Sequence, residues 1–254
     1  IYMGDWSSDV CSSDLVEAGD DLAALIVSAC ERESVVLEAN DVLVIAQKIV
    51  SKSEGRRVRL AAITPSARAA ELSARTGKDA RLIELILRES RAVLRVAREA
   101  LIVEHRLGVV LANAGIDQSN VDDDPAEPSA LLLPEDPDRS AAVLRERIAA
   151  MTSLSLGVII IDSIGRAWRL GTVGTTLGIA GLPAVADLRG TADLHGRKLR
   201  TTQLGVADEL AAAASLCMGQ AAERRPVVVI RGFTSRAHDS ARQLIRPLSE
   251  DLFR

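Results

Sequence analysis

Residues 157–181, with the sequence GVIIIDSIGRAWRLGTVGTTLGIAG, give the strongest indication of the fold class. The apolar run at the start of this stretch predicts a buried strand, and Asp162 and Ser163 stand at its end. The glycines that follow do not form a GxGxxG motif, and the chain contains no GxxxxGK(S/T) motif. A Rossmann-type dinucleotide site and a P-loop are therefore excluded.

The rest of the chain alternates between predicted helices and strands, but without the regular spacing of βαβ units. Capping residues and apolar periodicity predict helices at 22–33, 64–76, 79–90, 138–151 and 206–218, the second of them capped by Thr64. Extended runs predict strands at 42–51, 92–97, 100–105, 108–112, 157–162 and 226–232. Residues 121–138, with four prolines and seven acidic residues, are typical of a long loop. The predicted class is mixed α/β, or α+β, rather than a doubly wound sheet.

Composition and charge limit the function classes. The chain has 254 residues, of which 48% are apolar and 26% charged, so it can bury one large core or two small ones. A formal net charge of −4 argues against a nucleic-acid-binding protein, whose affinity rests on excess cations. No apolar stretch reaches the ~18 residues that span a bilayer, and three widely spaced cysteines fit a reducing cytosol. We therefore expect a cytoplasmic protein with no nucleic-acid and no membrane partner.

The two ends of the chain differ from the rest. Residues 1–14, IYMGDWSSDVCSSD, lack the alanine, arginine and leucine bias of the sequence downstream and resemble translated adapter sequence. We expect a non-native or disordered leader at 1–14 and a single domain at 15–235. A C-terminal extension at 236–254 either ends naturally or is cut before another domain.

Two polar segments that follow apolar runs could bind phosphate or cations. Residues 47–55 carry Lys48 and Lys52, which would share one face of a strand and could hold a phosphate, although the spacing alone favours two solvated lysines. Residues 113–120, NAGIDQSN, combine Asp117 with amides, the oxygen donors that suit a hard cation or a nucleotide. The somewhat favoured alternative is an Asx-turn, in which these side chains cap their own backbone.

A third polar segment begins at the end of the strand quoted first. Asp162 beside the Ser163 hydroxyl is a common arrangement for holding Mg²⁺ or Mn²⁺ near phosphates. Farther on, Arg166 and Arg169 flank Trp168. That cluster either binds an anion or a ring, or is a packed tryptophan with two solvated arginines. No Ser-His-Asp triad and no zinc-binding pattern is visible, so the residues alone indicate metal-assisted phosphate chemistry.

Taken in order, eight motifs resemble one family, the coenzyme F420-0:L-glutamate ligases, also called F420 γ-glutamyl ligases. The motifs are GDDL, IVSKSEG, NAGIDQSNV, DSIGRAWRLGTVG, DLRGTADLHGRKL, VADELAAAA, MGQ and PVVVIRG, between residues 19 and 232. The resemblance implies a two-lobed F420 γ-glutamyl ligase-like α/β fold and an interlocked homodimer. The C-terminal tail is similar to the actinobacterial branch, in which some members continue into a nitroreductase-like domain.

The same resemblance implies a function and its residues. The family joins L-glutamate to the carboxylate of the deazaflavin coenzyme F420-0, in some cases adding further γ-linked glutamates, and uses GTP, two Mg²⁺ or Mn²⁺ ions and K⁺. Asp117 and Asp162 match the ligands of one divalent ion, and Ser163 and Gln220 match those of the other. The matching catalytic positions are Asp117, Asp162 and Lys52. The matching nucleotide-contacting positions are Gln47, Lys52, Asn120, Met218, Gly219, Gln220, Ala221, Ala222, Glu223, Arg224 and Arg225.

The chemistry of amide formation agrees with these residues. A carboxylate is a poor acyl donor because its leaving group would be oxide, and phosphorylation by GTP would convert it to a reactive acyl phosphate. Phosphoryl transfer needs mainly positioning and charge neutralisation, which two metal ions and the Lys52 ammonium would supply. Two other functions fit the sequence. One is a different metal-dependent phosphoryl-transfer enzyme or phosphohydrolase on the same fold, and the other is a non-enzymatic deazaflavin- or nucleotide-binding module.

Overall fold

The computed structural model describes residues 16–118, 128–220, 223–234 and 237–251. Its α-helices are α1 (Leu22–Arg32), α2 (Gln47–Ser53), α3 (Ala67–Thr76), α4 (Ala80–Arg88), α5 (Pro137–Thr152) and α6 (Val206–Met218). Its strands are β1 (Val42–Ala46), β2 (Arg57–Arg59), β3 (Ser90–Ala97), β4 (Ala100–His105), β5 (Val110–Ala112), β6 (Ser129–Leu131), β7 (Gly157–Gly165), β8 (Thr172–Ala180), β9 (Ala186–Asp187), β10 (Gln203–Leu204) and β11 (Val227–Ile230). Short 3₁₀ turns lie at Leu60–Ala62, Asn113–Gly115, Ala241–Leu244 and Leu248–Glu250.

The main sheet has four strands in the order β11-β1-β7-β8. The central pair, β1 and β7, is parallel, and β11 and β8 add to its two sides in antiparallel pairings. The predicted mixed class is confirmed, because parallel and antiparallel neighbours occur in one sheet. The register pairs Ala46 with Ile161, so the residues that follow them, Gln47 and Asp162, come to the same edge of the sheet.

Alternate residues of the main sheet point to opposite faces. Leu43 and Ile45 of β1 pack with α1 and α5, whereas Val42 and Val44 pack with α6. Helices therefore cover both faces, which explains why the strand sequences are continuously apolar. No helix in the described part of the chain is long and apolar enough to cross a membrane.

A second core lies between the sheet β3-β4-β5 and helices α3 and α4. Its fully buried side chains include Leu72, Ile83, Ile86, Leu101 and Val103. Two separate cores agree with the predicted two-lobed fold. We call the four-stranded sheet with α1, α5 and α6 the main lobe, and the sheet β3-β4-β5 with α3 and α4 the second lobe. The two lobes meet in a small apolar cluster formed by Leu111, Leu133, Ile164 and Leu177.

The predicted strand at 42–51 is wrong in its second half. β1 ends at Ala46, and helix α2 begins at Gln47. Gln47 and Ser51 are both buried, and the Ser51 hydroxyl donates a 2.8 Å hydrogen bond to the Gln47 side-chain oxygen across one helical turn. β-Branched residues alone could not distinguish a buried helical turn from a strand, because both bury apolar side chains.

Two further expectations differ from the structure. Helix α3 is capped by Ser66, whose hydroxyl accepts a 3.2 Å hydrogen bond from the Ala69 amide, and not by Thr64. Thr64 precedes a proline, which disfavours the helical region for it. The predicted loop at 121–138 contains β6, which pairs with β2 in an antiparallel manner.

The predicted end of α3 before Gly77 is confirmed, since Gly77 adopts a left-handed φ of 78°.

The segment 237–251 packs on the main lobe. The carboxylate of Asp138 accepts hydrogen bonds from the Ser240 hydroxyl and the Ala241 amide at 2.6 Å and 3.0 Å. The same carboxylate accepts a 2.9 Å bond from the Ile179 amide on β8, one of the two edge strands of the main sheet. One acidic side chain thus ties this segment to the main sheet. The predicted boundaries at 235 and 236, and the leader at 1–14, stay predictions, and the leader lies outside the described residues.

We expect Gly178→Ala to lower the free energy of unfolding by at least about 2 kcal/mol, because a Cβ there would overlap the carbonyl carbon and oxygen of Pro137. These are backbone atoms, so α5 would have to move away from β8. Urea unfolding measures the effect. Gly165→Ala is the matched control, since nothing lies within 4 Å of a Cβ at that position. Equal stability of the two variants would contradict the proposed close packing of β8 on α5.

Candidate active site

A cleft of about 140 Å³ opens where β1 and α6 end and where β7 continues beyond its pairing with β1. Helix α2 contributes its first turn, β7 contributes its polar second half, and the chain beyond α6 closes the third side. The lining residues are Ala46, Gln47, Lys48, Ile49, Ile161, Asp162, Ser163, Ser215, Met218, Gly219, Gln220, Arg224, Arg225 and Pro226. The parallel pairing of β1 and β7 creates this cleft, because their carboxyl ends meet at one edge.

Asp117 does not line the cleft itself, but it forms an ion pair with Lys48, which does. The Lys48 Nζ atom lies 2.5 Å from the Asp117 Oδ2 atom, and the two side chains are 32% and 22% exposed. The backbone of Asp117 is fixed by reciprocal hydrogen bonds with Leu131, at 3.0 Å and 2.8 Å. Asp117 therefore belongs to the second lobe, whereas its lysine partner belongs to the main lobe.

The half-buried carboxyl of Asp162 has a raised pKa, about 6 instead of 3.8. Burial is the main cause, since removal from water disfavours the charged form. The negative charge of Asp117 raises this pKa further, while a hydrogen bond from the Ser163 backbone and the positive charge of Lys48 lower it. The two aspartates therefore lie close enough to repel each other, with a lysine ammonium near both.

Ser163 and Gln220 are in direct contact. The Ser163 hydroxyl donates a 2.7 Å hydrogen bond to the Gln220 side-chain oxygen, and the Gln220 amide nitrogen donates a 3.2 Å bond to the Ser215 hydroxyl. Gly219 holds this turn with φ 77° and ψ −177°, a conformation that is essentially confined to glycine. The two oxygen donors that were expected to share one ion are thus brought together.

The cleft also carries positive charge. Arg224 and Arg225 line it, and the Arg225 Nε atom is buried without a hydrogen-bond partner among the described residues. A buried donor without an acceptor is costly, and an oxygen of an anionic ligand would satisfy it. This orphaned donor fits a phosphate-bearing ligand, as expected of a nucleotide site.

The donor set also fits hard divalent ions. Among the described residues, no group of three His, Cys, Asp or Glu side chains could hold a metal. The cleft and its rim instead offer two carboxylates, a hydroxyl and an amide oxygen, the ligands that Mg²⁺ and Mn²⁺ accept. An ion held by these donors would need phosphate or water to complete its coordination.

The remaining predicted site residues differ in their relation to the cleft. Gln47 lines the cleft and is only 2% exposed. Lys52 is not among the lining residues, and its catalytic role stays a prediction. Asn120, Ala221 and Ala222 lie outside the described residues. Sequence reasoning missed Lys48 as the partner of Asp117, because the contact joins two lobes and no local pattern announces it.

A model of the F420-0:Gamma-glutamyl ligase family matches residues 11–232, most of the chain. The chain belongs to this family. A coenzyme F420:L-glutamate ligase of Methanothermobacter thermautotrophicus is 48% identical, over 94% of this chain and 95% of the relative. Ligases with the same name from Methanopyrus kandleri and Archaeoglobus fulgidus are 46% and 45% identical, over 94% of this chain and 93% and 92% of the relatives.

The family predicted from the eight motifs is confirmed. The cleft of this F420-0:gamma-glutamyl ligase family member is built from residues inside the matched range. Because the matches extend over 94% of this chain, both lobes of the fold have counterparts in the three relatives.

Proposed function

We propose that the protein is a GTP-dependent ligase that joins the carboxylate of coenzyme F420-0 to the amino group of L-glutamate. One observation carries the proposal: oxygen donors and cations converge on a single cleft. Asp162, Ser163 and Gln220 line it with Arg225, and Lys48 links it to Asp117. The names of the relatives supply the two substrates.

The reaction needs two transfers. A carboxylate oxygen of F420-0 attacks the γ-phosphorus of GTP, releasing GDP and leaving an acyl phosphate. The glutamate nitrogen then attacks the acyl carbon, phosphate leaves with the bonding electrons, and the nitrogen loses a proton. No side-chain nucleophile is required, which agrees with a cleft lined by oxygen donors and cations.

Each residue set has a proposed task. Asp117 and Asp162 would hold one divalent ion, and Ser163 and Gln220 would hold the second. When bound, these ions neutralise charge on the phosphates. The nucleotide contacts would be Gln47, Lys52, Asn120, Met218, Gly219, Gln220, Ala221, Ala222, Glu223, Arg224 and Arg225. The K⁺ ion, the interlocked homodimer and a cytoplasmic location belong to the same proposal.

A product assay tests this function. The protein is incubated with F420-0, L-glutamate, GTP and Mn²⁺, and mass spectrometry looks for F420-0 extended by one or more glutamate residues. We expect product only when all four are present, and little product when ATP replaces GTP. Phosphate release from GTP without glutamate would favour the phosphohydrolase, and ligand binding without turnover would favour the binding module.

We expect the affinity for Mn²⁺ to fall as the pH drops below about 6. A carboxyl must lose its proton to bind a metal, and the raised pKa of Asp162 lies at about 6. Protonation at lower pH therefore competes with the ion, by roughly tenfold per pH unit once the pH is well below this pKa. Mn²⁺ binding followed by electron paramagnetic resonance between pH 5 and 8 measures this. An affinity that does not change over that range would contradict the assignment of Asp162 as a ligand.

A further inference from the structure

The β7–β8 hairpin ends in a turn of exposed residues, Arg166–Leu170, that has no role in the proposed reaction. Trp168 is 89% exposed and Leu170 is 98% exposed. The alternative of a packed tryptophan, left open by the sequence, is therefore wrong. Trp168 is one of two tryptophans in a chain whose aromatic content is only 2%. A large ring held in solvent needs a reason other than core packing.

The backbone of this turn presents the ring at a conformational cost. Trp168 has a φ of 64°, in the left-handed region that bulky residues rarely adopt. The turn is closed by two long hydrogen bonds of 3.4 Å, from the Arg169 amide to the Arg166 carbonyl and from the Arg166 guanidinium to the Leu170 carbonyl. Backbone strain of this kind concentrates at ligand-binding positions.

The turn follows directly on the site residues. Asp162 lies on β7 three residues before Gly165, the last residue of the strand. The turn begins at Arg166, four residues of extended chain after Asp162, which cover about 13 Å. A ligand whose reacting carboxylate lies beside Asp162 could extend along the hairpin and reach Trp168 with its far end.

We propose that Trp168 stacks on the flat deazaflavin ring of the acceptor substrate, while Arg166 and Arg169 attract its anionic arm. This inference rests on the proposed function. In F420-0 the ring and the carboxylate that receives glutamate lie at opposite ends of a ribityl-phosphate arm, the arrangement that a platform some distance from the cleft would serve. Trp168 provides the largest aromatic face, and an arginine guanidinium pairs well with phosphate.

The experiment is titration calorimetry of the full chain with F420-0, using wild type, Trp168→Ala, Trp168→Phe and Leu170→Ala. We expect Trp168→Ala to weaken F420-0 binding about tenfold, the usual effect of losing one stacked ring. Trp168→Phe should recover most of the affinity. Leu170→Ala is the matched control, because it removes an equally exposed apolar side chain from the same turn without removing an aromatic ring. In the ligation assay, Trp168→Ala should raise KM for F420-0 with little change in kcat or in GTP affinity.

The competing occupant of this turn is a second copy of the chain. If Trp168→Ala and Leu170→Ala weaken self-association equally in sedimentation runs and leave F420-0 affinity unchanged, the inference is overturned. Unchanged F420-0 affinity in Trp168→Ala alone would also overturn it. If the wild-type protein fails to bind F420-0 at all, the proposed function fails, and this inference fails with it.

Discussion

We expect Asp162→Asn to lower the rate of glutamate ligation at least about 1,000-fold while leaving the fold intact. The substitution keeps the shape of the side chain but removes the negative charge that a divalent ion needs. Losing a metal that neutralises phosphate charge costs several kcal/mol of transition-state stabilisation, and each 1.36 kcal/mol is tenfold in rate. The loss should appear in kcat and in Mn²⁺ affinity together.

The stability of this variant separates a lost ligand from a damaged fold. Burial and the negative charge of Asp117 both disfavour the ionised form of Asp162. Replacing it by a neutral amide removes this unfavourable charge. At neutral pH and without added metal, the melting temperature of Asp162→Asn should therefore be unchanged or slightly higher. Asp79→Asn is the matched control. Asp79 caps α4 and is not among the residues that line the cleft, and asparagine caps a helix equally well. Glutamate incorporation by Asp162→Asn at near wild-type rate would defeat the metal assignment.

We expect Glu89→Gln to destabilise the protein by about 3 kcal/mol, or roughly 8 °C in melting temperature. Glu89 is the acidic centre of a mostly buried cluster in the second lobe. Its Oε2 atom lies 3.1 Å from an Arg56 nitrogen, 3.0 Å from the Arg106 Nε and 3.5 Å from the His105 Nε2. A neutral amide would leave two arginine charges without their carboxylate, and unpaired buried charge is costly.

The pH dependence of stability gives an independent check of the same cluster. Burial alone would raise the pKa of Glu89, but the neighbouring His105 ring, the hydrogen bond from Arg106 and the charges of Arg106 and Arg56 lower it to about 2 from the usual 4.5. A lowered carboxyl pKa stabilises the folded state above the unfolded value, and that contribution disappears as the pH falls from about 5 towards 2. The stability difference between wild type and Glu89→Gln should therefore shrink over this range.

A surface carboxylate provides the control for Glu89. Glu71 pairs with Arg68 and Arg75 on an exposed face of α3, where such pairs contribute little. Glu71→Gln should change the free energy of unfolding by less than about 0.5 kcal/mol. If Glu89→Gln is as mild as Glu71→Gln in urea unfolding, the cluster does not stabilise the second lobe.

Local patterns predicted most of the helices and strands and part of the site. Asp162 and Ser163 could be located because a carboxylate and a hydroxyl directly follow an apolar run, although β7 continues past them to Gly165 and does not end there as predicted. The carboxyl cap of α3 could be located because Gly77 permits the left-handed conformation that ends a helix. Both predictions depend only on neighbours along the chain.

The features that sequence reasoning missed depend on contacts between distant segments. Residues 47–51 include the β-branched Ile49 and Val50, as a strand would, and the helical turn with its buried Gln47–Ser51 hydrogen bond appears only in the folded chain. The Lys48–Asp117 ion pair joins two lobes, so no spacing could reveal it. Gln220 could be linked with Ser163 through family resemblance, but the physical reason, a shared hydrogen bond, appears only in the folded chain.

The division of the two aspartates between the lobes has a consequence for the whole molecule. Asp162 is anchored in the main sheet, whereas Asp117 is fixed to Leu131 beside the second core. The proposed metal site therefore draws on both lobes, and neither lobe expressed by itself would contain it. A small displacement of one lobe relative to the other would separate Asp117 from Asp162 without unfolding either lobe. The packing between the lobes therefore determines how precisely the two carboxylates are positioned.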